Sequence, residues 1–164
     1  DGVSCLTFPV NVGNTPVEVL ESEVPVLVKK RALWQDSAGP GEFRGGFGQE
    51  FEVEVLAGGL GPLDDILVSF RGGRFIHPVP GVQGGGDAPN GELYVNGEPQ
   101  EPGIQRTLVP GDSFLCRVPG GGGFGNPGKR TETALKRDLR SGLLSEDFVR
   151  LHYGDECLAD AGAD

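Results

Sequence analysis

The sequence has no methionine, and its 164 residues include only three cysteines, one tryptophan and two tyrosines. Methionine is missing even at position 1, so the chain is expected to be a piece of a longer polypeptide or one whose start has been removed. The cysteines, Cys5, Cys116 and Cys157, are odd in number and far apart. That excludes the even, closely spaced framework of a disulfide-stapled secreted module and fits reduced thiols in a cytoplasmic setting. No apolar run approaches the roughly 18 residues a membrane-spanning helix needs, and no signal-peptide pattern opens the chain.

Positive charge is also scarce. Fourteen Lys and Arg against 24 Asp and Glu leave a net charge of −10, which opposes non-specific attraction to an anionic nucleic-acid backbone. Two stretches are locally basic, Lys29-Lys30-Arg31 and residues 129–140. Both read as solvated faces, because Glu132 and Asp138 interrupt the second and no aromatic stacking platform accompanies either.

Catalytic signatures are missing as well. There is no Gly-x-Ser-x-Gly elbow. The two histidines, His77 and His152, have no second ligand at metal-binding spacing, so no metal site is assigned. His152 falls in an expected helix beside Tyr153. His77 precedes Pro78 in a glycine-rich loop, from which it could line a cleft. Cys116 lies inside a strand pattern and reads as buried and inert.

Glycine and proline are abundant: 29 and 13 residues, about a quarter of the chain. That share borders on low-complexity disorder. Here the clusters alternate with apolar periodicity, so they read as turns and loops between strands. The densest is Pro119-Gly120-Gly121-Gly122-Gly123-Phe124-Gly125-Asn126-Pro127. A proline at each end limits its freedom, and four glycines in a row point to positive φ or a close approach of other backbone. It reads as a shaped loop. Two phosphate-binding patterns nearly fit it. Gly120-x-Gly122-x-x-Gly125 matches a dinucleotide fingerprint, but the helix that should follow directly is delayed by Asn126-Pro127-Gly128. Gly123-x-x-x-x-Gly128-Lys129 approaches a P-loop, but Arg130 stands where Ser or Thr should hold Mg²⁺, and Pro127 removes an amide.

Strand signals dominate the body. Val24-Pro25-Val26-Leu27-Val28 opens a run that reaches Trp34. Phe51, Val53 and Val55 alternate with Glu50, Glu52 and Glu54, giving one buried face and one wet acidic face. Residues 66–70 form another strand. Leu93-Tyr94-Val95 runs into Asn96-Gly97, a pair suited to a type I′ hairpin. Residues 112–118 form a further strand. Helix is expected only late, around Ala134, Leu135 and Leu139, stopped by Gly142. A second short helix would start at Ser145 as N-cap, with Leu144 and Val149 stapled across it. The expected fold is mainly β (β-rich α+β), with antiparallel sheets arranged like a sandwich or barrel. One domain would cover residues 1–164: a β-rich body over 1–118, a glycine-rich loop over 119–130 and a pair of short helices over 131–156.

Four segments, taken in order, resemble one family. They are Asn14-Thr15-Pro16-Val17-Glu18, residues 36–46 (Asp-Ser-Ala-Gly-Pro-Gly-Glu-Phe-Arg-Gly-Gly), residues 119–127, and residues 138–145 followed by Tyr153-Gly154. Together they resemble the C-terminal part of the hydantoinase B/5-oxoprolinase family. The resemblance covers residues 1 to about 156. It implies a B-type subunit, or half, of an ATP-dependent enzyme that opens cyclic amides such as hydantoins and 5-oxoproline, with relatives that carboxylate ketones. It also implies a hydantoinase A-type ATP-binding partner in a hetero-oligomer, with ATP and a divalent metal used by the parent complex but no cofactor held by this region. Metal-ligating residues would lie elsewhere in the subunit, and the region itself would supply scaffold, subunit contacts and active-site-rim loops. The motif positions carried over as ligand or interface candidates are Asn14, Thr15, Glu18, Arg44, Gly45, Gly46, Gly120, Gly121, Gly122 and Gly123, with His77 added from its loop setting. Arg44 has two readings. Its fork could reach a phosphate or carboxylate ligand, or it could pin its own loop to a carboxylate. The alternative to the family reading is a non-catalytic module that binds a small ligand or carbohydrate.

Overall fold

A computed structural model of the chain describes residues 1–5, 14–58, 65–70, 72–103 and 105–155. Its largest element is a five-stranded antiparallel sheet. The strands are β1 (Val26–Leu33), β2 (Gln49–Val55), β4 (Glu92–Val95), β5 (Glu98–Pro99) and β7 (Ser113–Val118), in the order β1-β2-β7-β4-β5. Two further strands, β3 (Ile66–Ser69) and β6 (Gln105–Leu108), pair antiparallel as a second sheet. The large sheet stays open, with β1 and β5 at its edges, so of the two expected arrangements the barrel is excluded.

The period-two pattern sets which side of β2 is buried. Val53 and Val55 are almost completely covered. Phe114 of β7 stacks edge-on with Phe51 at 6.2 Å and with Phe70 at 5.6 Å, which joins the two sheets. The Asn96-Gly97 turn has the expected positive φ at both residues, 52° and 80°, and closes the β4–β5 hairpin.

The acidic face of β2 is not wholly wet. Glu50 is buried because its cross-strand neighbour Arg117 donates to it at 2.6 Å and Lys30 of β1 pairs with it from the other side. Arg117 also reaches Glu92 of β4 at 2.8 Å, so a charge ladder crosses four strands. The alternation is legible in the sequence, but the cations that cover one acid come from distant segments.

Helix also begins earlier than expected. Helix α1 (Val17–Glu23) precedes β1 and buries none of its residues. It is tied down by the Val28 amide, which donates to the Glu21 carboxylate at 2.8 Å. The two late helices, α2 (Glu132–Arg140) and α3 (Glu146–Tyr153), are present as expected. Gly142, at φ 69°, ends the first. Ser145 caps the second by accepting the Phe148 amide at 3.1 Å. Leu135, Leu144 and Val149 pack with Ala38 and Phe47 into a buried cluster. The helical pair therefore rests on the loop over residues 36–48.

Candidate functional site

Three glycine-rich segments, distant in sequence, meet beside that helical core: residues 37–48, 80–86 and 119–125. Their backbones lie too close for side chains. A Cβ on Gly45 would sit 1.8 Å from the Gly121 carbonyl oxygen, and one on Gly122 would sit 2.1 Å from that of Pro80. Among Gly120, Gly121, Gly122 and Gly123 none has positive φ; close approach calls for glycine at Gly120, Gly122 and Gly123, while a Cβ on Gly121 would meet nothing nearer than 3.6 Å.

Five amides of this loop are already used. Gly120 donates to Ser37, Gly121 to Gly46, Gly123 to Gly86 and Phe124 to Phe43, each at 2.9 Å, and Gly125 donates to Val82 at 3.0 Å. A phosphate cradle needs amides that point at the ligand. Here five of them point at carbonyls of the neighbouring segments, and the Gly128 amide is taken by the Asn126 side chain at 2.9 Å. Neither glycine pattern fits a nucleotide. Among the described residues no three His, Cys, Asp or Glu side chains come together to hold a metal ion, so these residues do not fit the divalent ion either.

Arg44 takes the second of its two readings. Its Nε and Nη2 donate to the two oxygens of Asp138 on α2, at 2.8 and 3.2 Å, and Nη1 donates to the Gly45 carbonyl at 3.0 Å. The guanidinium also lies 4.2 Å from the centre of the Phe47 ring. Arg130 joins from the other side, donating to Asp138 at 2.6 Å and to Asp1 at 2.6 Å, while its buried Nε has no acceptor among the described residues. Burial alone would raise the pKa of Asp138. The hydrogen bonds and charges of Arg44 and Arg130 outweigh burial and hold the carboxyl below its ordinary value. One carboxylate on a helix thus clamps two arginines, and through Arg44 it fixes the loop that carries Gly45 and Gly46.

In front of the glycine wall opens a pocket of about 710 Å³, within the roughly 300–1,000 Å³ usual for small-molecule sites. Of the sequence candidates, Asn14, Arg44, Gly45, Gly46, Gly120, Gly121 and Gly122 line it. Gly123 is buried behind the wall, where its amide meets Gly86. Thr15 and Glu18 lie apart from the pocket, exposed at the start of α1, and the Thr15 carbonyl accepts from Arg31 at 2.6 Å. His77 is also apart, exposed just past a 3₁₀ turn, with its amide on the Gly73 carbonyl at 2.8 Å.

Phe43, Gln49, Arg74 and Phe124 are among the lining residues that escape sequence reasoning. The aromatic pair sits within the family-like motifs, but nothing there marks which way the rings face. Arg74 is exposed and makes no ion pair among the described residues. Cys5, which also lines the pocket, is no activated nucleophile: burial pushes its thiol pKa up, against a smaller opposing pull from Arg31. The pocket can therefore hold and orient a polar ligand with an apolar face, and its described side chains offer no nucleophile–base pair.

A family model described as hydantoinase B/oxoprolinase matches residues 1–127. The beta subunit of the caprolactamase of Pseudomonas jessenii is 38% identical over 148 residues, covering 84% of this chain and 24% of that protein. The crystal structure of the ATP-dependent caprolactamase from the same organism superposes with a TM-score of 0.71 at 28% identity, over 86% of this chain and 25% of the other. A putative B-type D-/L-hydantoinase subunit from Pseudomonas sp. (strain NS671) is 28% identical over 163 residues, covering 94% of this chain and 26% of that protein. A nucleotide-free acetone carboxylase structure shares the fold, with a TM-score of 0.74 at 20% identity over 94% of this chain and 25% of the other. The chain spans about a quarter of the length of these relatives.

Proposed function

The chain belongs to the hydantoinase B/oxoprolinase family, and from that premise we propose that it forms the C-terminal region of a B-type subunit in an ATP-dependent enzyme that opens cyclic amides. The relatives supply the reaction class: one is named a caprolactamase subunit and another a putative hydantoinase subunit. The observation that carries the regional role is the convergence of the family-like segments around Asn14, Arg44 and the 119–127 loop on one pocket wall. Arg44, held by Asp138, keeps that wall in place, and the apolar rings at its rim face the bound substrate or a neighbouring segment.

The described residues provide neither a phosphate cradle nor a set of metal ligands. In the proposed enzyme ATP belongs to a hydantoinase A-type partner, the metal to another part of the B-type subunit, and the whole to a hetero-oligomer in the cytoplasm. This region's share is scaffold, subunit contact and pocket rim. The test is to purify the full-length subunit with its ATP-binding partner and follow ATP-coupled opening of caprolactam, hydantoins and 5-oxoproline. Turnover of at least one ring, dependent on ATP and on both subunits, is expected. ATP-independent turnover, or none with any of the three, overturns the proposal.

A further inference from the structure

Two large apolar side chains on the best-buried loops of the molecule point outward. Phe43 is 48% exposed and Phe124 46%, although Gly41, Arg44, Gly123 and Gly125 around them are buried. The two residues exchange backbone hydrogen bonds, Phe43 amide to Phe124 carbonyl at 3.0 Å and the reverse at 2.9 Å, and their rings stand 6.3 Å apart. Val82, 55% exposed, bridges to the Phe124 segment on its other side. The three side chains thus form one apolar platform on hydrogen-bonded backbone. The platform carries no charged member. Its rings cannot fold inward, because the space beneath is filled by glycine backbone at less than side-chain distance.

We infer that Phe43, Phe124 and Val82 dock against an apolar face of the additional polypeptide that belongs to the same subunit. The inference rests on the proposed reading of this chain as one region of a longer subunit, for which the relatives' length is the observation: they are about four times as long. The size of the platform selects the occupant. Two half-exposed phenylalanines and one valine offer on the order of 250 Å², far below the roughly 800 Å² per partner of a stable association between separate chains. A contact within one polypeptide needs less area, because the covalent link supplies a high effective concentration. Rigid, outward aromatic anchors are also the side chains that carry most energy in a docked surface.

Hydroxyl-radical footprinting of the native full-length subunit tests this without any substitution. Rates at Phe43 and Phe124, normalised for side-chain reactivity, are compared with that at Leu151, which is 78% exposed. Covering the platform takes each ring from about half exposed to nearly buried, a roughly fivefold drop against its exposure in this structure. The expected result is that both rings are protected in the subunit alone, at every concentration. Full reactivity at both overturns the inference. So does protection that grows with subunit concentration, which identifies a second copy, or protection that emerges only when the ATP-binding partner is added. Failure of ATP-coupled ring opening sinks the functional reading without changing this footprint, so the two can fail separately.

Discussion

Asp138→Asn should cost far more stability than the loss of a surface acid would. The carboxylate is almost fully buried and receives three donor contacts of 2.6 to 3.2 Å from Arg44 and Arg130. Asparagine keeps the shape and one acceptor but removes the charge, leaving two mostly buried guanidinium groups facing a neutral amide. Removing one partner of a buried pair costs about 3–5 kcal/mol, since it strands the other charge. Arg130 keeps its contact with Asp1, which places the expected loss near the lower end, about 3 kcal/mol. Set against a typical margin of roughly 5–15 kcal/mol, the protein should still fold. Urea unfolding of the chain can be followed at Trp34, its one tryptophan, whose amide bonds the Gly48 carbonyl in the same loop system. A double-mutant cycle with Arg44→Met should show coupling of at least about 1 kcal/mol. A loss below about 1 kcal/mol, the value of an exposed pair, with additive effects in the cycle, would refute the clamp.

The same carboxylate sets an acid limb. The folded pKa of Asp138 lies below its ordinary 3.8, because the arginines outweigh burial. Its contribution is therefore fully present above that ordinary value and is lost as pH falls towards the folded pKa. Glu50 acts in the same direction: burial would raise its pKa, but Lys30 and Arg117 pull it down. Stability measured from neutral pH into acid should fall below about pH 4, and Asp138→Asn should flatten the fall; an unchanged acid limb in the variant would contradict this. At Cys116, burial pushes the thiol pKa up to about 11, so at about pH 8 only about one part in a thousand is thiolate. Its reaction with a disulfide reagent should be slow in the native protein and fast in denaturant, and rapid native labelling would count against the burial.

The sequence is legible where one short segment carries the physics. Asn96-Gly97 needs only its own backbone to make the hairpin turn, and Ser145 caps α3 with an acceptor three residues from its donor. The glycine run is recognisable as a shaped loop, although its cause is close packing at Gly120, Gly122 and Gly123 rather than positive φ. Helix α1 escapes such a reading because Val17-Glu18-Val19 alternates as a strand would and nothing in it is buried. Strand β6 escapes it because only Leu108 of its four residues is buried, too few to show a period. Cys157 lies outside the described residues. The site is legible by motif but not by geometry. Arg44 and Asp138 are separated by 94 residues, and only the fold brings Arg74 and Gln49 to the pocket shared with Asn14.

The central claim is that the glycine loops form the wall of a working pocket in a cyclic-amide-opening enzyme. Gly122→Val tests it most directly. Its Cβ would lie 2.1 Å from the Pro80 carbonyl oxygen, so the 80–81 and 122 backbones must part. Forced overpacking of this kind costs about 1–3 kcal/mol, which a folded subunit survives. ATP-coupled ring opening and co-purification with the ATP-binding partner should be measured beside a melting curve of the same preparation. The expected result is a folded subunit with a modestly lowered Tm that has lost most of its activity or its assembly. Normal turnover and normal assembly with an unchanged Tm would show the loop to be a permissive connection and would contradict the account.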